Sequence, residues 1–218
     1  MKKPHFLEVT KISKAFQKKV VLKDITFTLD KGKIMILVGE NGTGKSTFLS
    51  ILTTLSKPDS GDILLNSQSI IKSPALAKGR IAYVPQEIAL HNNLSVIDNL
   101  YFWASMNKIT RTNQKEMVEK LLEEFRLVDY RSHKVGKLSV GLRRKVSIAV
   151  TLLSEAELLI MDEPTAGLDK NSRREIIDSV KQLRDTGISI IYVTHIADEV
   201  DILADSVLQI SDGIGRMK

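Results

Sequence analysis

Apolar and polar residues alternate along three stretches of the chain, HFLEVTKI, ITFTL and GDILLN, which begin at His5, Ile25 and Gly61. Alternation turns one face of a strand toward a core and the other toward water, the habit of half-buried antiparallel strands. Three further runs, KIMILVG, ELLIMD and ISIIYV, are apolar almost throughout. Short runs with both faces apolar predict parallel strands covered on both sides. RIAYV and SVLQI add two more strand candidates. Helical periodicity occupies 45–55, 114–126, 141–154, 171–185 and 196–203. Buried strands alternating with helices predict an α/β fold, a mostly parallel sheet with helices on both faces and an antiparallel β subdomain toward the N-terminus. The segment from about 87 to 137 holds helical pattern without a buried strand. It reads as a helical subdomain inserted between two parts of the α/β core, 1–86 and 138–218, within one domain spanning 1–218. Within that segment Leu94, Val96, Leu100, Tyr101, Phe102 and Trp103 crowd together; most are expected in a helix core, with any exposed remainder a partner patch.

Composition changes this picture little. A chain 43% hydrophobic and 27% charged is ordinary for a globular protein. It contains no cysteine, which excludes disulfides and thiolate metal sites. The net charge of +6 would suit nucleic acid, an anionic membrane surface or acidic small ligands. The basic residues, however, fall in short clusters, Lys2-Lys3, Lys18-Lys19 and Arg143-Arg144-Lys145, with no stripe of interleaved aromatics. No nucleic-acid partner is therefore expected. Glu8 and Lys11 interrupt the N-terminal segment where a signal peptide would need an apolar run. The longest apolar runs are too short to span a bilayer. These features predict a soluble chain that stays where it is made.

The strongest chemical signal is GENGTGKST, formed by Gly39, Glu40, Asn41, Gly42, Thr43, Gly44, Lys45, Ser46 and Thr47. It fits the phosphate-loop pattern of a P-loop NTPase core, with a predicted strand before it and a helix after. Its glycines let the backbone turn its N–H groups toward phosphate oxygens, and the helix adds its positive N-terminal end. Lys45 is placed for β- and γ-phosphates, and the Ser46 hydroxyl for Mg²⁺. In LLIMDEP an apolar strand delivers two acids at its C-terminal end, where parallel sheets hold ligands. Asp162 suits a second Mg²⁺ contact, and Glu163 then suits the polarisation of an attacking water. Gln86 and His195 close the strands RIAYV and ISIIYV in the same manner. A single Gln or His at a strand end is ordinarily a surface turn residue; two after core strands, beside a phosphate loop, suggest reach toward a γ-phosphate.

Together these motifs resemble those of the nucleotide-binding domain of ATP-binding cassette (ABC) proteins, over about residues 5 to 213. YVPQE resembles the family's Q-loop, and LSVGLRRKV, from Leu138 to Val146, its LSGGQ signature. LLIMDEP followed by TAGLD resembles the Walker B strand and D-loop, and VTH the switch histidine. The order and separations fit as well, with twenty residues from Leu142 to Asp162 and thirty-two from Glu163 to His195. The resemblance implies that Phe16 stacks on adenine, that Gln86 contacts Mg²⁺ or water and reports nucleotide state, that Glu163 is the catalytic base, and that His195 clamps the γ-phosphate. It also implies a head-to-tail dimer of cassettes, a homodimer or a heterodimer, in which Ser139 and the backbone near Gly141 cap the γ-phosphate bound to the opposite phosphate loop. Asp169, in the D-loop, crosses to the other subunit. The sequence departs from the pattern at Val140 and Leu142, where the family has glycine and glutamine, and at Ala166, where serine is more usual.

This resemblance implies the ATP-hydrolysing subunit of an ABC transporter, peripheral on the cytoplasmic face of a membrane and docked to a separate transmembrane permease subunit. NLSVIDNLYF resembles single-domain bacterial exporters, and the short tail after SVLQISDG leaves no room for the regulatory domain of many importers; both favour export. The competing reading is a non-transport cassette that works a membrane partner as a mechanical switch. A nucleotide-binding module without turnover is opposed by Glu163.

Overall fold

The computed structural model describes residues 5–17, 19–154 and 156–218. Lys2, Lys3 and Lys18 of the basic clusters lie outside the described residues. Ten strands form one sheet in the order β5-β4-β1-β2-β10-β9-β3-β8-β7-β6. They are β1 (Leu7–Phe16), β2 (Lys19–Leu29), β3 (Ile34–Val38), β4 (Ser60–Leu65), β5 (Gln68–Ser69), β6 (Ile81–Val84), β7 (Leu158–Asp162), β8 (Ser189–Val193), β9 (Ser206–Ser211) and β10 (Ile214–Met217). The continuous apolar runs became the parallel centre: β3 pairs with β8 and β9, and β7 with β8, all in parallel. Every residue of β8 is buried, as both-face coverage requires. The alternating runs became the antiparallel part, with β1 pairing to β2 and to β4. β5 and β10 are the strands that the hydrophobic pattern does not announce. β5 has two residues and β10 only one of its four half-buried, so neither carries an apolar signature.

Six α-helices are described: α1 (Lys45–Leu52), α2 (Val96–Met106), α3 (Arg111–Glu124), α4 (Val140–Thr151), α5 (Lys170–Asp185) and α6 (Ala197–Leu203). The periodicity carries α1 to residue 55, but the helix stops at Leu52, because Thr53 leaves helical geometry and Thr54 takes φ of 59°. In α2, Val96, Leu100 and Ala104 form a fully buried stripe at four-residue spacing. Leu94, Tyr101 and Trp103 are only half-buried and Phe102 is exposed. One helix face cannot bury six neighbouring apolar residues, so the expectation that most of them are core fails for Phe102 and holds in part for three others. His91, Phe102 and Trp103 instead form an aromatic cluster, with His91 and Phe102 ring centroids 4.4 Å apart.

The chain divides into two compact units, 1–83, 156–163 and 181–218 on one side and 84–155 and 164–180 on the other. The second takes in α4 as well as the helical segment, because α2 packs on α4 and α3. Residues 84–86, 138–154 and 164–180, expected with the α/β core, fall in this second unit. Among the described residues no helix is long and apolar enough to cross a membrane.

Candidate active site

The loop between β3 and α1 depends on residues without side chains. Gly44 takes φ of 106°, and a Cβ there would lie 2.8 Å from the Val21 carbonyl oxygen. At Gly39 a Cβ would meet the Ile210 carbonyl oxygen at 2.4 Å. Strands β2 and β9 thus confine the loop to a path that larger residues would block. Lys45, the first residue of α1, folds back over it. Its Nζ donates to the Gly39 carbonyl at 2.6 Å and the Glu40 carbonyl at 2.8 Å, and Thr43 Oγ1 donates to the same Glu40 oxygen at 2.9 Å. Glu40, Asn41, Gly42 and Ser46 are exposed on the rim and Thr47 is half-buried. A cationic side chain, a helix N-terminus and a glycine-built turn meet here, the arrangement that binds a triphosphate.

β7 delivers Asp162 to the same unit. Tyr83, from β6, donates its hydroxyl to Asp162 Oδ2 at 3.1 Å. Burial pushes Asp162 above the ordinary carboxylate range and the charge of Glu163 adds to this, although the Tyr83 hydrogen bond and Lys45 pull the other way. Tyr83 in turn is pushed up to about 12, first by burial and then by Asp162, so at neutral pH it remains a hydrogen-bond donor. A half-buried acid destabilised by its surroundings is a place where added positive charge is favourable. The oxygen donors here, Asp162 and the Ser46 hydroxyl, suit a hard cation. Among the described residues no group of three or more His, Cys, Asp and Glu side chains could hold a metal ion by itself. A hard cation held by such oxygens would complete its shell with phosphate and water.

Glu163 has left-handed backbone, φ of 46°, and its N–H donates to the Val193 carbonyl of β8 at 3.1 Å. Its carboxyl is 16% exposed, and Oε1 lies 3.5 Å from Nδ1 of His195, whose side chain is 66% exposed. A non-glycine residue in this backbone region costs on the order of 1 kcal/mol, a cost that functional sites commonly carry. Phe16 ends β1 with half its surface exposed. Lys14 Nζ sits 5.4 Å from its ring centroid, held by Asp59 at 2.8 Å. Asp59 also accepts from the Ala15 N–H at 2.7 Å, so the aromatic is braced from the loop that leaves α1.

The remaining candidates belong to the second unit. Ser139 is the N-cap of α4, its Oγ accepting from the Leu142 N–H at 3.2 Å. Val140 is the helix's first residue and is 44% exposed. Gly141 is buried, and a Cβ there would strike Ser172 of α5, 2.6 Å from Oγ and 2.8 Å from Cβ. Asp169 binds the same serine: it accepts from the Ser172 hydroxyl at 2.6 Å and from the N–H groups of Asn171 and Ser172, both at 3.0 Å. The Ser172 hydroxyl, before the backbone bonds, holds the Asp169 carboxyl below its usual range. Asp169 is thus the cap of α5, and signature and D-loop abut through Ser172. The glycine of this Ser-x-Gly is demanded by a contact within the chain, whereas Val140 points where a side chain is tolerated.

A test follows. Gly141→Ala should destabilise the fold by ~1–3 kcal/mol, the usual cost of overpacking. Melting curves recorded in native and Ser172→Gly backgrounds should show a smaller loss in the second. Equal losses would remove Ser172 as the cause.

Gln86 is exposed at the end of β6. Its carbonyl and that of Pro85 accept from the two terminal nitrogens of Arg144, at 2.6 and 2.7 Å. Arg144 is buried in α4, five residues beyond Ser139. Sequence reasoning did not single out Arg144, Tyr83 or Ser172. A signal existed for Arg144: it shares a helical face with the buried Gly141 and Ile148, where an unpaired charge would be costly. Ser172 and Tyr83 act through tertiary contacts that no local pattern announces.

A parallel-stranded P-loop fold with this phosphate loop, acid pair and capped signature helix is that of a nucleotide-binding cassette. A family model described as ABC transporter matches residues 22–166, and the chain belongs to this family. It is 41% identical over 207 residues to the linearmycin resistance ATP-binding protein LnrL of Bacillus subtilis, covering 95% of this chain and 67% of that one. It is 34% identical over 195 residues to the doxorubicin resistance ATP-binding protein DrrA of Mycobacterium tuberculosis, covering 89% and 59%. Among solved structures, cbiO1 from Clostridium perfringens, part of the ABC transporter complex cbiONQ, superposes with a TM-score of 0.90 at 28% identity, over 98% of this chain and 88% of that one. The chain is an ATP-binding subunit of an ABC transporter, with the ATPase activity that this implies.

Proposed function

We propose that two copies of this chain close head to tail on two ATP molecules, and that closure and hydrolysis drive export through a separate membrane-embedded permease, with the cassettes on its cytoplasmic face. Each chain carries its own phosphate loop, acid pair and signature, so two copies make two complete sites. The observation that carries the reading is the state of Ser139. Its oxygen accepts from the helix backbone, which leaves its O–H to donate to a γ-phosphate, beside the positive end of α4. Lys45 neutralises the β- and γ-phosphates, Phe16 stacks on the base, Glu163 takes the proton of the attacking water, and His195 holds the γ-phosphate. Ser46 and Asp162 would hold Mg²⁺, which would supply charge neutralisation on the phosphates. Two relatives are named for resistance to linearmycin and to doxorubicin, which supports outward transport.

Ser139→Ala tests the sandwich. It should lower turnover ~10-fold through loss of a transition-state donor, while ATP affinity of the single chain stays within twofold. Helix stability should fall by only ~1 kcal/mol from the lost cap. A large loss of single-chain affinity would place Ser139 in its own subunit's site and contradict the sandwich.

A further inference from the structure

His195 stands on a three-residue connection between β8 and α6, and its side chain reaches into solvent with Glu163 Oε1 3.5 Å away. The residues on either side of it are held by a buried polar network. Thr194 is 3% exposed, and Tyr192 and Glu199 are fully buried. Thr194 Oγ1 donates to Glu199 Oε2 at 2.6 Å, and the Tyr192 hydroxyl donates to the same oxygen at 3.1 Å. Thr194 Oγ1 then accepts from the Ile196 N–H at 3.1 Å. The Glu199 N–H in turn donates to the Ile196 carbonyl at 3.1 Å, and the Thr194 N–H to the Leu37 carbonyl of β3 at 3.4 Å. His195 is therefore bracketed by one hydroxyl that acts as both donor and acceptor, anchored on a carboxyl in the first turn of α6.

Burying a carboxyl is costly unless its oxygens find donors. Here two hydroxyls donate to Oε2, and one of them, that of Thr194, also accepts from Ile196 N–H across the residue whose imidazole lies beside Glu163. From this geometry we propose that Glu199, acting through Thr194, is the positioning residue for His195. It fixes the backbone from which the imidazole is aimed at the γ-phosphate, and so contributes to the chemical step and not to nucleotide binding. The proposal rests on the reading of His195 as the γ-phosphate clamp.

The test is a double-mutant cycle on ATP hydrolysis by the purified chain. Thr194→Val is isosteric and removes the hydroxyl. It should lower kcat ~10-fold and leave the KM for ATP within about twofold, the signature of a misplaced group lost from the transition state. Thr194→Ser, which restores the hydroxyl, should recover kcat to within about twofold. In a His195→Ala background Thr194→Val should cost nothing further, because the group it positions is gone. The same kcat loss in both backgrounds would show a general structural role and overturn the proposal, as would an unchanged kcat in Thr194→Val alone. Should His195→Ala itself turn over at the native rate, the clamp reading fails, and the positioning role with it. If Thr194→Val does not fold, Glu199→Gln, which keeps the volume and weakens the acceptor, enters the same cycle under the same criterion.

Discussion

Replacing Glu163 with glutamine is expected to lower ATP hydrolysis by ~10²–10⁴-fold, the usual contribution of a general base, while leaving ATP binding intact. The substitution conserves volume and the amide can still reach the neighbourhood of His195, so the loop's geometry should persist. The backbone at this position already lies in the left-handed region, and its N–H is engaged by the Val193 carbonyl. Glutamine imposes no greater strain there than glutamate. What is lost is the proton acceptor alone. Single-turnover hydrolysis measured beside equilibrium ATP binding separates the two effects. Hydrolysis at the native rate would mean that the proton leaves by another route. Tyr83 is a poor substitute, since burial and Asp162 keep it protonated up to about 12.

The second large effect is expected at Lys45. Lys45→Ala removes the ammonium folded over the loop, with Nζ within 2.8 Å of the Gly39 and Glu40 carbonyls. Charge-assisted bonds to phosphate are among the stronger ones, and ATP affinity should fall ~100-fold or more, about 3 kcal/mol at 1.4 kcal/mol per factor of ten. The same change frees two loop carbonyls, so melting has to be followed alongside. Glu40 is exposed and Gly39 half-buried, so water can replace much of what the ammonium supplied, and the melting temperature should move by only a few degrees. Calorimetric titration that still finds tight ATP binding in a folded variant would contradict the phosphate-loop assignment.

What could be seen from the sequence divides by the range of the interaction behind it. The phosphate loop was legible because Gly42 and Gly44 take left-handed backbone, with φ of 80° and 106°, a demand set within the loop itself, and because a continuous apolar strand leads into it; the contacts of Gly39 with Ile210 and of Gly44 with Val21 were not. The parallel centre was legible because burial on both faces makes IMILV, LLIMD and SIIYV apolar almost throughout. Short edge pieces were not: β5 and β10 are strands only because a neighbour lends them hydrogen bonds. The signature motif marks Gly141, yet the residue that forbids a side chain there is Ser172, thirty-one positions away. Likewise the motif marks His195, while Glu199 looks like any acid in the first turn of a helix until the burial of its carboxyl is known. Ion pairs that brace the site, such as Lys14 with Asp59, join segments 45 residues apart and leave no periodic trace.

In the proposed sandwich the signature completes an ATP site on a second copy of the chain. The most direct measurement is sedimentation velocity of the Glu163→Gln chain with Mg²⁺ and saturating ATP, and again with ADP. A dimer is expected with ATP and a single chain with ADP, because in the sandwich only the γ-phosphate bridges Lys45 of one copy to Ser139 of the other. A chain that stays single at saturating ATP would contradict it.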